Sequence, residues 1–497
     1  MAARSIAIIG GGVAGLSAGV HALANGYRTH IYEHHSAAGG VCAAWTRGDY
    51  TFDCCIHWLM GAKPGCALHA LYGEVGALDA GRLLPMEHYA TAVDEATGRR
   101  LDVTKDLDRL AADLHALSPV DSAFVDRLLR DVRRFVGVDL PGPDFDTGIA
   151  GTANAMWQMR RVLTFLARRG NRSVAQVTQA ARDRFLHLAI RHLFAPEVPY
   201  LFVLMILAGL ANGELASIEG GSRAFAEAIE RRYRALGGEI TFSATVQQIL
   251  VENDRAVGVK LADGTVHGAD VVVSAADGRS TIFDMLGGHY LDDRVRHRYN
   301  TWPIFDPIVL VDFGLRTKWP DSVNATMVFL ERPMQAAGRN VESFFVRTFD
   351  NQPGFAPEGH SVAQVLLASD WQAWNRLSED RKAYEAEKCR IADEVMARLE
   401  PYLPGIRSAV EEVDVATPRT FWRYSRNHRG AFEGFMMTPK TMMTRVPKTL
   451  PGLGNFYMAG QWVEPGGGLP VAIASGKNAV RLICRAHRKE FRTERSF

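Results

Sequence analysis

Cysteine is scarce in this chain. Its 497 residues hold six, Cys42, Cys54, Cys55, Cys66, Cys389 and Cys484, with no C-x-x-C pair among them. That spacing offers neither a zinc site nor a disulfide framework, so reduced thiols and no bound metal are expected. Charge of one sign is lacking too. The 57 Lys and Arg nearly balance 55 Asp and Glu, and a net charge of +2 gives no general attraction for nucleic acid. Long hydrophobic runs are missing. The longest, YLFVLMILAGLA over 200–211, falls short of the ~20 residues that a bilayer-spanning helix needs. The opening MAARSIAIIGGG has one arginine and an apolar stretch broken at once by glycines, which reads against a secretory signal. A cytoplasmic protein is expected, peripheral to the membrane if it meets lipid at all.

No Ser-His-Asp arrangement and no carboxylate pair at catalytic spacing stands out either. What is present is glycine, 46 residues, gathered into motifs. SIAIIGGGVAGLSAGVHALANGYRTHIYE reads as strand, tight turn, helix, strand. Gly10, Gly12 and Gly15 form G-x-G-x-x-G, with Ala14 in the same turn. Gly10 allows the turn, Gly12 lets a pyrophosphate reach the helix N-terminus, and Gly15 lets the helix pack closely on the strand. Glu33 ends the second strand, placed to accept from ribose hydroxyls. The pair Gly39-Gly40 follows it; nicotinamide domains do not need this pair, and flavoproteins of the glutathione-reductase type usually carry it. No second G-x-G-x-x-G follows, so a separate nicotinamide domain is not expected.

Further along, EGGSRAFAEAI opens a helix over 222–236, alternating strands begin at 245, and 270–275 reads as a buried strand. Near the end, NFYMAGQWVEPGGGLPVAIASGKNAVRLI runs three glycines and a proline into a helix. On these stretches, with the N-terminal fingerprint, the chain resembles the phytoene desaturase and carotenoid isomerase family of flavoenzymes, related more distantly to amine oxidases. The resemblance implies an α/β fold. A Rossmann-like FAD domain of the glutathione-reductase type would be assembled from 1–77, 217–286 and 450–497. A helical, membrane-facing substrate region would occupy 78–216, and a substrate-domain sheet and helix 287–449.

The resemblance further implies that Val246 pairs through its backbone with the adenine edge of FAD, and that Gly460, Gln461, Gly467, Gly468 and Leu469 border the flavin. The Gly466–Gly468 backbone would lie against the isoalloxazine, with the positive end of the following helix facing the ring where negative charge develops on reduction. The implied reaction is hydride transfer to or from flavin N5 on C–C bonds of a lipophilic polyene or isoprenoid-like substrate. Desaturation, isomerisation and saturation remain open, with oxygen or a quinone as acceptor. Two alternatives stand beside it. A flavin amine oxidase would need a substrate cage, and the usual flavin-linking cysteine is missing near Gln461. A non-catalytic prenyl-binding protein of the GDP-dissociation-inhibitor type would not keep both glycine motifs intact.

Four residues are candidates for catalysis. Glu464 stands where the desaturases more often carry a histidine and is expected beside the ring. His57 lies in FDCCIHWLMG, and Tyr424 and Arg429 in FWRYSRNHRGAFEG, a segment similar to the family's loop over the active site. The run at 200–211 is expected to wall an apolar channel. Arginines 160, 161, 168, 169 and 172, interleaved with Trp157, Leu163, Phe165 and Leu166, suit an amphipathic helix on anionic lipid.

Overall fold

The computed structural model describes residues 3–139, 157, 159–319, 325–442, 444 and 446–493. Strand Ser5–Ile9 lies at the centre of a five-stranded parallel sheet in the order Phe456–Met458, Val271–Ser274, Ser5–Ile9, Arg28–Tyr32, Glu239–Thr241. Its side chains alternate between two cores, as period-two geometry requires. Ile6 and Ile8 pack under helices Val13–Ala24, Gly221–Ala235 and Leu469–Ala486, while Ala7 and Ile9 face the antiparallel strands Val246–Glu252 and Arg255–Leu261. Both faces being covered explains why the strand reads as an unbroken apolar run.

Three stretches far apart in sequence thus build one layer. Their helices approach backbone to backbone. A Cβ on Gly15 would sit 2.0 Å from the Gly10 carbonyl oxygen, and one on Gly476 would sit 2.4 Å from that of Ala14. Helices Val13–Ala24 and Leu469–Ala486 therefore pack side by side, pinned by Ser17 Oγ donating to the Ile473 carbonyl at 2.7 Å. Their N-termini point to the same edge of the sheet.

The second layer is a seven-stranded sheet in the order Val410–Ala416, Ile308–Leu315, Ser361–Ala368, Arg339–Thr348, Ala325–Ala336, His88–Asp94, Arg100–Thr104. The block over 78–216 is thus not helical throughout: two of these strands come from it. His88–Asp94 joins by parallel pairing with Ala325–Ala336, a long-range contact that no local pattern announces. Helix Arg381–Leu399, capped by Asp380, covers this sheet with Ile391, Val395 and Leu399. Helices Ser122–Phe135, Arg160–Arg169 and Tyr200–Ala211 form a separate core with the His88–Asp94 hairpin.

Candidate flavin and substrate site

A cavity opens at the carboxyl ends of the parallel strands, where open α/β sheets bind their ligands. Each strand delivers residues to it: Gly10, Gly12 and Ala14 after the first, Glu33 and His34 after the second, Ala275 to Asp277 after the fourth in sequence, and Gly460, Gln461 and Trp462 after the last. Gly39, Gly40, Val246, Gly468 and Leu469 complete the expected lining. Of the cofactor residues read from sequence, Gly15 and Gly467 stand outside it.

The glycines differ in what they do. Gly10 has φ +94°, a conformation that L side chains rarely adopt. Gly12 is extended, with φ −68° and ψ 173°, and a Cβ there would meet nothing nearer than 3.8 Å. Neither backbone nor packing requires glycine at Gly12; a ligand lying against it does. Gly12 sits at the N-terminus of helix Val13–Ala24, whose free N–H groups suit a pyrophosphate. The residues fit a dinucleotide. Gly467 has a close protein neighbour. A Cβ on it would lie 2.6 Å from the Glu433 carboxylate, so its absence lets Glu433 pack against the helix entrance.

Glu33 is buried, accepting from Gly11 N at 2.5 Å and from His35 N at 2.7 Å. Burial pushes its carboxyl up, against these backbone bonds. Each oxygen retains a lone pair for a ribose hydroxyl. Asp277, also buried, is pushed up to about 6 by desolvation while accepting from Ser280 N and His428 N. The His428 bond ties the loop after helix Pro418–Ser425 onto the nucleotide layer.

None of the four catalytic candidates is among the residues lining this cavity. Glu464 does not line the cavity; it forms an ion pair with Lys448. Tyr424 is exposed, edge-on to His35, and Arg429 is exposed with a left-handed φ of 56°. From that loop it is Ser425, Arg426, Asn427, Phe432 and Glu433 that reach the cavity. His57 stands two residues beyond the cavity-lining Cys55, edge-on to Phe345 at 5.7 Å. Burial and the Arg347 guanidinium hold its imidazole well below the usual range, and its Nε2 has no hydrogen-bond partner among the described residues.

Sequence reading missed Glu433. Its Oε2 is buried and has no partner among the described residues, and desolvation pushes the carboxyl up to about 8. An acid this far shifted at a cavity wall carries its proton at neutral pH. Trp462 Nε1, on the neighbouring wall, is likewise unpartnered. The only local signal for Glu433 was an acid set between Phe432 and Gly434 in an apolar stretch.

The family profile of flavin-containing amine oxidoreductases matches residues 13–484. The chain belongs to that family. It is an FAD-dependent oxidoreductase. Among curated relatives it is 26% identical to the neurosporene-forming phytoene desaturase of Cereibacter sphaeroides, covering 96% of this chain and 93% of that one. It is 27% identical to the chloroplastic prolycopene isomerase of Daucus carota, over 57% of this chain and 46% of the relative. Among solved structures, an oxidoreductase from Methanosarcina mazei superposes with a TM-score of 0.61 at 16% identity, covering 96% of this chain and all of that one. That likeness shows the shared fold.

Proposed function

We propose that this flavoenzyme moves hydrogen on C–C bonds of a lipophilic polyene, as a desaturase or isomerase. The reading is carried by half-buried apolar side chains, Trp58, Met60, Phe202, Met327 and Phe345, packed on the core of the helical region, with Phe345 against His57, two residues beyond the cavity-lining Cys55. Such a surface desolvates a hydrocarbon. The full-length similarity to a phytoene desaturase supports it.

Bound FAD supplies a hydride acceptor or donor. The chain does the rest. Gly12 and the N-terminus of Val13–Ala24 receive the pyrophosphate, and Glu33 accepts from the ribose. Gly468 and Leu469 present the N-terminus of the last helix, whose partial positive charge favours the reduced cofactor. Glu433 holds a proton at the wall, available to an acceptor that forms there. Oxygen or a quinone takes the electrons in a net oxidation.

Anaerobic incubation of the flavin-loaded protein with phytoene and with prolycopene, both in lipid vesicles, tests this. Bleached flavin with a product lighter by two hydrogens indicates desaturation; altered geometry at unchanged mass indicates isomerisation. Bleaching by primary amines, with both polyenes inert, would overturn the proposal.

A further inference from the structure

Two polar groups on one wall of the cavity find no partner among the described residues. Gly434 packs against the backbone of Gln461; a Cβ on it would lie 2.7 Å from the Gln461 carbonyl oxygen. A second tie follows, with Gly466 N donating to the Phe435 carbonyl at 3.0 Å. These contacts set Glu433 beside Gln461 and Trp462, and all three residues line the cavity. Trp462 is 2% exposed, held edge-on by Phe435 at 5.2 Å and stacked on Tyr299 at 6.2 Å. Its Nε1 and Glu433 Oε2 are the two unpartnered atoms. The other acids of the lining are engaged, Glu33 by the N–H groups of Gly11 and His35, Asp277 by those of Ser280 and His428. A buried donor left without an acceptor destabilises the fold unless a ligand supplies one.

Sheet order decides which part of a dinucleotide lies there. The cavity crosses the ends of neighbouring strands, from Arg28–Tyr32 through Ser5–Ile9 and Val271–Ser274 to Phe456–Met458. At ~4.8 Å between neighbours, the first and last of these strands stand about 14 Å apart. Ribose at Glu33 and pyrophosphate at Gly12 therefore leave the far end, by Gly460 and Trp462, for the flavin ring system. One edge of that ring system is a dimethylbenzene with nothing to hydrogen-bond. The opposite edge is an imide, C=O, N–H, C=O, which accepts, donates and accepts in turn. A protonated carboxyl presents a donor and an acceptor side by side, and an indole N–H adds a second donor. Glu433, pushed up to about 8 by desolvation, carries that proton at neutral pH.

We infer that Glu433 and Trp462 hold the imide edge of the flavin, Glu433 donating to one carbonyl and accepting from N3–H while Trp462 donates to the other carbonyl. Both unpartnered groups are satisfied at once, and the ring is held by neutral groups rather than by a charge. The contact turns the imide toward the segment 433–435. It concerns the cofactor alone and does not depend on which substrate the flavin oxidises or reduces.

The test uses the full-length chain freed of flavin and titrated at a pH well below 8 with FAD and with 3-methyl-FAD, whose N3 carries a methyl group in place of hydrogen. Quenching of flavin fluorescence gives both dissociation constants. Wild type should bind 3-methyl-FAD at least about tenfold more weakly than FAD, the loss of one hydrogen-bonded contact. Glu433→Gln, whose amide keeps a donor and an acceptor, should retain that ratio. Glu433→Leu should bind FAD more weakly and bring the ratio close to unity, as expected when the two groups touch. Trp462→Phe, which keeps an aromatic ring without the N–H, should weaken both cofactors alike. ADP, which reaches only the Glu33 and Gly12 end, should bind wild type and every variant equally, and so reports that each is folded. Equal affinity of wild type for FAD and 3-methyl-FAD, a comparison that needs no variant, would overturn the inference. The same ratio in wild type and in Glu433→Leu would overturn it too. Unchanged FAD binding in both Glu433→Leu and Trp462→Phe would do the same, and would assign the pair to a carbonyl on the substrate.

Discussion

At the scale of single residues, the site turns on where a side chain is absent and where one carboxyl has lost its water. Gly12→Val should weaken flavin binding at least tenfold, about 1.4 kcal/mol or more, because the new side chain occupies the ligand's place and meets no protein atom close by. Flavin content after desalting, read with far-UV circular dichroism as a folding control, checks this; stoichiometric flavin in the variant would refute it. Glu433 gives a sharper expectation. Desolvation pushes its carboxyl up to about 8 from an ordinary value of 4.5. The folded state therefore keeps a proton that the unfolded chain releases across that window. The stability this contributes is complete below pH 4.5 and is lost as pH rises through 8, with a slope of at most about 1.4 kcal/mol per pH unit. Glu433→Gln, which cannot titrate, should lack that slope. Urea denaturation of both proteins from pH 5 to 9 measures the difference, and other buried groups, such as His57, cancel in it. Parallel curves would show that Glu433 ionises freely.

At the scale of elements, the sequence made the nucleotide layer legible and the substrate layer much less so. Strand Ser5–Ile9, helix Val13–Ala24, Glu33 and the late glycine run are local patterns, each dictated by neighbours a few residues away, and the structure shows them as elements of the parallel sheet and its cavity. Glu464 looked catalytic because it adjoins the glycine run, but Lys448 lies 16 residues away in sequence and only the fold brings the two together. Glu433 was invisible for the converse reason: nothing local tells that its carboxyl is dry. The apolar run at 200–211 shows the same limit. Helix Tyr200–Ala211 is buried on almost every side, and Leu204 is wholly inside the core, whereas Phe202 is half-buried in the apolar band. Leu204→Asp should therefore unfold the helical region, costing about 4 kcal/mol for an unpaired buried charge. Phe202→Ala should cost about 1–2 kcal/mol, less than a fully buried Phe→Ala, and should raise the KM for an apolar substrate more than it lowers kcat. Thermal melts and steady-state turnover separate the two variants. Equal KM for Phe202→Ala and wild type would remove this helix from the substrate path.

At the scale of the whole molecule, the proposed lipophilic substrate raises the issue of how such a molecule reaches the cavity at the carboxyl ends of the parallel strands. Among the described residues no helix is long and apolar enough to cross a membrane, and a net charge of +2 gives no overall pull toward anionic lipid. Any docking must be local, and Arg160–Arg169 is where the sequence set it. Part of that reading changes with the fold. Val162 and Phe165 turn inward, Phe165 lying 5.3 Å from Phe135, so these two side chains are not free to lie on a bilayer. What faces outward is Trp157, 66% exposed and stacked under the Arg160 guanidinium at 4.3 Å, together with Leu163 and Arg161 and Arg168. Arg169 is committed elsewhere, paired at 3.4 Å with the buried Asp131, and removing it would leave that carboxylate alone in the core. A clean variant therefore changes Arg160, Arg161 and Arg168 to Gln and keeps Arg169. At ~1 kcal/mol per arginine near an anionic surface, the triple variant should bind vesicles of mixed neutral and anionic lipid roughly 100-fold more weakly. Wild-type binding should itself fall steeply between 50 mM and 500 mM salt, as the Debye length shrinks to about 4 Å. Trp157→Ala should lose affinity with little change in that salt dependence, since the indole contributes burial and not charge. Flotation of all three proteins across the salt series checks the set, and equal flotation of wild type and triple variant at low salt would place the lipid contact elsewhere on the molecule or nowhere.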